Sequence, residues 1–371
     1  MLAKYYCDIY LWIIMLLTLY QYSRYSRMKI SRLNVRILGS GLVRPESGST
    51  VLILLFFILF IGLRPTSGVF VDMMNYYGFY TVLSGSTFHF NLNAENKIWD
   101  NLFEWWACND LGFTSFMLFV STVYFGCAYW ACRRLFPKDV FASFLVFLAA
   151  FSTFSYGTNG VKAGAAASIF LVALSYYKKW KISIPLVLLS YGFHHSMIMP
   201  VAAYVVAIFY KKTNVYLVAW LLCSFISAAH ITWFQELFAQ MSSDDGDESG
   251  ADYLNSVESD WGGSNGFRID FVIYSAMPVV VAYYVSIRKK IKSDLYSFLI
   301  NVYLITNSIW MLCMYASFTN RIAYLSWAIY PIVLIYPYLK EKCSSNQYKV
   351  FAKVMLMHLC FTMAMHYIYY S

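Results

Sequence analysis

Two adjacent histidines, His194 and His195, stand in SYGFHHSMIMP (Ser190–Pro200), inside an almost unbroken apolar run from Ile182 to Tyr210. An imidazole takes or gives a proton near neutral pH. In an apolar run it costs free energy unless it is paired or wetted, so it marks a functional site by default. Three other stretches carry complementary chemistry. In GLRPTSGVFVDMMNYYGFY (Gly62–Tyr80), Arg64 ends an apolar run, and Asp72, Tyr76 and Tyr80 recur at the four-residue spacing of one helix face. In YGTNGVKAGAAAS (Tyr156–Ser168), Asn159 shortly precedes Lys162, which starts a helix of very small residues. In FTNRIAYLSW (Phe318–Trp327), Asn320 and Arg321 open another apolar segment. Cations at helix starts suit an anion, because backbone N–H groups point the same way, and arginine grips phosphate bidentately. Taken singly, each has a plainer reading: an interfacial helix with a solvated acid, or a lysine snorkelling to the membrane surface.

The elements that must position these groups follow from composition. The 371 residues are 60% hydrophobic and 13% charged, with a mean hydropathy of +0.54. A soluble domain carries roughly 25% charge, so this chain lacks the charge to solvate a water-facing surface. The apolar runs are continuous and too long for the alternating ~10-residue strands of a barrel. The expected fold is all-α: a single polytopic membrane domain with apolar spans near 5–22, 49–63, 111–132, 139–156, 161–177, 215–234, 269–287, 295–316, 321–338 and 349–370. The first run has no small-residue cleavage site and reads as a retained helix. Eight cysteines are scattered singly with no CxxC, which indicates neither a zinc site nor a redox pair and fits buried thiols. The net charge of +9 does not point to nucleic acid, because of where it lies.

Of the 28 Lys and Arg, 22 fall in clusters: Arg24 to Arg44, Arg133 to Lys138, Lys178 to Lys181, Lys211 and Lys212, Arg288 to Lys292, and Lys340 to Lys353. The positive-inside rule places these at the cytoplasm. The acidic stretches fall in the alternate loops, expected at 64–110, which includes the interfacial helix, and at 235–268. The second of these lacks the EF-hand pattern and reads as a solvated loop, hinged near Trp261–Phe267 and able to close over a cavity. Only Lys4, Arg64, Lys97, Lys162, Arg268 and Arg321 remain outside. Lys178–Lys181 and Lys211–Lys212 flank the histidine segment, and both belong inside. An even number of crossings satisfies both, so 182–193 and 196–210 read as two arms of a re-entrant hairpin bent at His194 and His195. Arms of 12 and 15 residues rise about 18–22 Å at ~1.5 Å per residue, less than a ~30 Å bilayer core. The bend is then sunk in a cavity, where irregular backbone is tolerated. The alternative is one tilted helix with a buried histidine pair.

These residues together resemble the EpsG-like, Wzy-type polysaccharide polymerases of bacterial envelopes over roughly residues 50–340. That family shows an Arg followed by an Asp and a Tyr after an early span, matched by Arg64, Asp72 and Tyr76. It shows Asn-x-x-Arg starting a helix, matched by Asn159 with Lys162 in place of arginine. It then shows Phe-His-x-Ser at an apolar hairpin, matched by His194 and Ser196 with His195 at the variable position, and a late arginine, matched by Arg321. Lysine at 162 keeps the charge but loses the bidentate geometry.

The resemblance implies an extracytoplasmic glycosyltransferase of O-antigen, capsule or exopolysaccharide synthesis. It acts in the bacterial inner (cytoplasmic) membrane on oligosaccharide repeats carried by undecaprenyl pyrophosphate. Its partners are membrane lipid and, in such systems, a flippase and a chain-length regulator. It needs no cofactor and no metal. Transfer needs the leaving pyrophosphate stabilised by fixed cations and the acceptor hydroxyl deprotonated. The first task falls to Arg321, Lys162 and Arg64, with Asn159, Asn320 and Arg268 nearby in kind. The second falls to His194 or Asp72, with Ser196 and His195 beside them and Tyr76 for stacking on sugar. A ligase that passes finished polysaccharide to another acceptor would use the same groups. A membrane O-acyltransferase would want the histidines facing the cytoplasm. A glycolipid transporter would want paired broken helices at the midplane, and the second half of the chain offers no partner for the histidine bend.

Overall fold

The computed structural model describes residues 2–28, 47–237, 266–285, 293–316 and 319–369. Most of the acidic stretch 235–268, and the basic residues from Lys29 to Arg44 and from Arg288 to Lys292, lie outside the described residues. Those described are helical, with no strand among them. The chain divides into two compact units, Met1–Ile198 with Ile335–Ser371, and Met199–Leu334.

The first unit contains α1 (Tyr6–Arg27), α2 (Ser47–Gly62), α3 (Val71–Leu83), α4 (Lys97–Cys108), α5 (Phe113–Leu135), α6 (Val140–Leu148), α7 (Phe151–Thr158), α8 (Val161–Ser175) and α9 (Trp180–Phe193). Its core is α8, whose small residues let α5 and α9 close on it from two sides. Gly164 is needed there: a Cβ would stand 2.7 Å from the carbonyl oxygen of Tyr156. α5 ends at Arg133 and Arg134, cations that complement the negative end of the helix dipole. The loop 64–110, expected to hold one interfacial helix, holds both α3 and α4. α4 carries Trp99, Phe103 and Ala107 at four-residue spacing on its buried face.

The expected span 139–156 is not one straight helix. It breaks between α6 and α7 with a bend of 72°, where Ala150 is extended. Thr153 Oγ1 donates to Phe147 O at 2.6 Å and Thr362 Oγ1 to Ala149 O at 2.7 Å. These hydroxyls satisfy the carbonyls that the bend opens, which is what permits a break in an apolar setting. The histidine segment breaks where expected. α9 stops at Phe193, His194 is extended, His195–Met197 form a 3-10 turn, and α10 (Ile198–Phe209) follows. Pro200 falls in the first turn of α10, where its missing N–H leaves no gap.

The second unit contains most of α10, then α11 (Thr213–Ala228), α12 (Ile269–Tyr283), α13 (Asp294–Leu312) and α14 (Thr319–Trp327), and α15 (Tyr330–Lys340) leads out of it. α16 (Gln347–Tyr369) returns to the first unit against α1. A buried polar knot ties the second unit. Asn307 accepts from Trp220 Nε1 at 2.8 Å and donates to Ser275 Oγ at 3.2 Å and Ser326 Oγ at 2.9 Å. Trp327 Nε1 donates to the same Ser275 hydroxyl at 2.8 Å. Asn307→Leu keeps the branch at Cγ and removes three bonds. At ~0.6 kcal/mol for each such bond between helices in a membrane, a loss of about 2 kcal/mol is expected. It would be read as a lower unfolding midpoint of the full-length protein in detergent, and an unchanged midpoint would show the knot to be dispensable.

By length and composition, four of the described helices can cross a membrane: Phe113–Leu135, Asp294–Leu312, Thr319–Lys340 and Gln347–Ile368. The bent pair α6 and α7 makes up to five. Of the ten expected spans, those at 49–63, 161–177, 215–234 and 269–287 correspond to apolar helices shorter than 18 residues.

Candidate functional site

The histidine turn is fastened on three sides. Ser190 Oγ donates to Ala166 O at 2.7 Å, which ties the end of α9 to α8. The 3-10 turn itself rests on α8, the helix that Lys162 opens. On the third side α4 comes close because position 192 is glycine, its missing Cβ falling 2.5 Å from Ile98 Cδ1. Phe193 and Trp99 meet there with ring centroids 6.3 Å apart.

That approach brings the start of α4 to His195. Asn96, 1% exposed, accepts the His195 backbone N–H at 2.9 Å. A backbone N–H only donates, so this contact fixes the Asn96 oxygen on the histidine side, and its amide nitrogen lies 3.3 Å from Glu95 Oε2. Glu95 Oε1 is 2.8 Å from His195 Nδ1, and Asn96 Oδ1 is 3.2 Å from the same nitrogen. Both oxygens are acceptors, so His195 Nδ1 carries a proton; the shorter contact, to a charged group, is its main partner.

His194 is held in the opposite sense. The Ser196 N–H points at His194 Nδ1 at 3.2 Å, and Ser196 Oγ lies 3.0 Å from it. A nitrogen that accepts from a backbone N–H has its lone pair there, so the neutral His194 ring carries its proton on Nε2. The two rings lie 5.0 Å apart, centroid to centroid. Both histidines and Ser196 are half-buried.

The other expected residues take the following places. Lys162 lies in the first turn of α8 and is half-buried. Asn159 ends α7, and its Oδ1 is buried with no hydrogen-bond partner. Asp72 lies in the first turn of α3, where the helix dipole favours an acid. Tyr76 packs edge-on against Trp99 and Phe103, at 5.9 and 6.3 Å, so α3 is joined through Trp99 to the end of α9. Arg64 is 3% exposed. It donates to Ile61 O at 2.8 Å and Thr158 O at 2.9 Å, and Phe70 lies beneath it at 5.6 Å. Burial lowers its pKa to about 10, so it stays charged at neutral pH. It holds the ends of α2 and α7 together. A cavity of about 440 Å³ opens on the Tyr77, Thr81 and Ser84 side of α3 and is not lined by the histidines.

In the second unit, Arg268 directs its guanidinium at Asp270 through bonds of 3.0 and 2.8 Å and lies over Phe271 at 3.7 Å. Asn320 and Arg321 are the second and third residues of α14, Arg321 exposed. Trp310 Nε1 donates to Thr319 Oγ1 at 2.9 Å and so fixes the start of that helix.

The model of the EpsG family matches residues 49–371. The chain belongs to the EpsG family. EpsG is a family of Wzy-like polymerases; with its apolar helices, this EpsG protein is a multi-pass membrane protein of the polysaccharide-polymerase kind. No curated protein and no solved structure matches the chain significantly. The site residues that sequence reasoning missed in this EpsG chain are Glu95 and Asn96. The spacing of Trp99, Phe103 and Ala107 signals the helix that carries them. Nothing in the sequence signals that its start meets His195, some hundred residues on.

Proposed function

We propose that this EpsG protein polymerises oligosaccharide repeats carried on undecaprenyl pyrophosphate, at the outer face of the bacterial cytoplasmic (inner) membrane. The growing chain leaves its lipid carrier and joins the non-reducing end of the next repeat. The product is an O-antigen, capsular or exopolysaccharide chain, with a flippase delivering the repeats and a chain-length regulator acting beside it. On this reading the shorter apolar helices complete about ten crossings, and the charge distribution along the sequence sets the histidines outside.

The observation that carries the reading is the packing of the histidine turn on α8, the helix opened by Lys162. A proton-transfer group and a fixed cation then serve one region, as glycosyl transfer from a pyrophosphate requires. Lys162 is the pyrophosphate contact of the first unit. Asn159, with its unsatisfied buried oxygen, orients a substrate hydroxyl beside it. Arg321 and Asn320 are kept in the phosphate role on the family resemblance. Arg64 serves by fixing the turn after Thr158, Asp72 and Tyr76 by meeting sugar, and Arg268 only when its fork leaves Asp270. No metal enters the reaction as proposed.

The test is the glycan itself. A strain lacking the gene is complemented with wild type, Arg321→Ala, Lys162→Ala or His194→Ala at matched membrane levels, and its surface glycan is run on a gel. The expected result is single capped repeats in the deletion, a full ladder with wild type, and a ladder reduced at least tenfold with each variant. Long chains accumulating on the lipid carrier in the deletion would mean a ligase. An unchanged ladder would end the glycosyl-transfer reading and direct attention to lost acyl groups.

A further inference from the structure

We infer that His195, held by Glu95, is the base that takes the proton of the acceptor hydroxyl, and that His194 is the hydrogen-bond donor beside it. The inference rests on the polymerase reading and assigns roles within the same site. It comes from the opposed polarity of the two rings. His195 gives its Nδ1 proton to Glu95 at 2.8 Å and to the Asn96 oxygen at 3.2 Å. In the neutral ring the lone pair is therefore on Nε2, the atom able to accept a proton. A carboxylate on the far nitrogen holds the ring in that tautomer and offsets the charge when the imidazolium forms, the arrangement that acyl-transfer enzymes use for their histidine base. Asn96 adds a second hold through the backbone N–H at 2.9 Å. His194 cannot serve in the same way, because its Nδ1 lone pair already accepts from the Ser196 N–H. Its Nε2–H is a donor, suited to an anionic oxygen.

The step balances without another reactant. His195 Nε2 takes the proton of the hydroxyl at the non-reducing end of the incoming repeat. That oxygen forms a bond to the anomeric carbon of the donor chain. The bond from that carbon to the phosphate oxygen breaks, and its electron pair leaves with undecaprenyl pyrophosphate, whose new charge the His194 Nε2–H and Lys162 meet. The imidazolium then returns its proton to water. Glu95 touches no reacting atom and is a positioning residue.

The experiment uses membranes from the deletion strain, which hold whatever lipid-linked repeat that cell makes, mixed with the purified full-length protein in vesicles. Polymer length is followed in time. A positioned base contributes ~10²–10⁴-fold. His195→Ala is therefore expected to slow the ladder at least a hundredfold, with the unfolding midpoint kept, and imidazole in the buffer is expected to restore the rate about tenfold. His195→Asn, whose amide nitrogen falls where Nδ1 stood and still donates to Glu95 but takes no proton, is expected to be as slow and as well folded. Glu95→Gln is expected to lower kcat about tenfold with KM unchanged, and Glu95→Asp to recover part of it. A wild-type ladder that His195→Ala or His195→Asn keeps within threefold, or a His195→Ala rate that imidazole fails to raise, overturns the base assignment alone. A wild type that makes no ladder overturns the polymerase reading, and the assignment with it.

Discussion

Replacing Arg64 by alanine is expected to destabilise the full-length protein by about 1–3 kcal/mol, and Arg64→Lys by nearly as much. The guanidinium is almost wholly buried and joins two carbonyls on different helices, Ile61 O in α2 and Thr158 O just before Asn159. Ile61 O keeps the backbone N–H of residue 64 at 3.4 Å, but Thr158 O is left unsatisfied in a buried place, which costs about 1–3 kcal/mol. Lysine keeps the charge but has no planar fork, so it cannot meet both carbonyls from one position. The lysine variant is what separates a brace from an anion ligand. If Arg64 gripped the pyrophosphate directly, Arg64→Lys would fold like wild type and recover part of the ladder, and only the alanine variant would lose it. Thermal unfolding in detergent, set beside the ladder for each variant, decides. A lysine variant with the wild-type midpoint would sink the brace.

Much of the fold was legible because apolar runs are. The stretches near 5–22, 49–63 and 111–132 each became one helix, and the break at His194 followed from charge parity. The bend between α6 and α7 was not legible. It depends on Thr362, some two hundred residues along the chain, reaching the carbonyl of Ala149, and one sequence carries no sign of that. The candidate site divided in the same way. Local features were readable: Lys162 in the first turn of its helix, and Asp72 and Tyr76 a helical turn apart on one face of theirs. The partner of His195 was not. Position 195 looks variable in the family's Phe-His-x-Ser pattern, and Glu95 looked like one more acid in an external loop. Only the close approach of α4 to α9 gives the pair a meaning.

That approach rests on one missing side chain, which makes Gly192→Ala the sharper prediction. An added Cβ would meet Ile98 Cδ1 at 2.5 Å and Cγ1 at 2.7 Å. Ile98 stands three residues after Glu95 and two after Asn96, in the first turn of α4. Pushing it away moves the helix start that holds the 2.8 Å contact to His195 Nδ1 and the 2.9 Å bond to its backbone. A displacement of about 1 Å in a group that positions the reacting atoms costs on the order of 10²-fold in rate. Gly192→Ala is therefore expected to lower the ladder-forming rate by about that factor, with only a modest fall in the unfolding midpoint. Ile98→Ala in the same chain should give most of it back, because the remaining contact, to Ile98 Cβ, is 3.4 Å, ordinary packing. Ile98 is itself more than a third exposed, so its loss alone is expected to cost little. Ile98→Val keeps a γ carbon in the way and should rescue less. If Gly192→Ala polymerises like wild type, the Ile98 side chain turns aside and α4 does not move. If Gly192→Ala is slow and Ile98→Ala does not rescue it, the loss comes from α9 itself, and the close approach of α4 is not what holds Glu95 on His195.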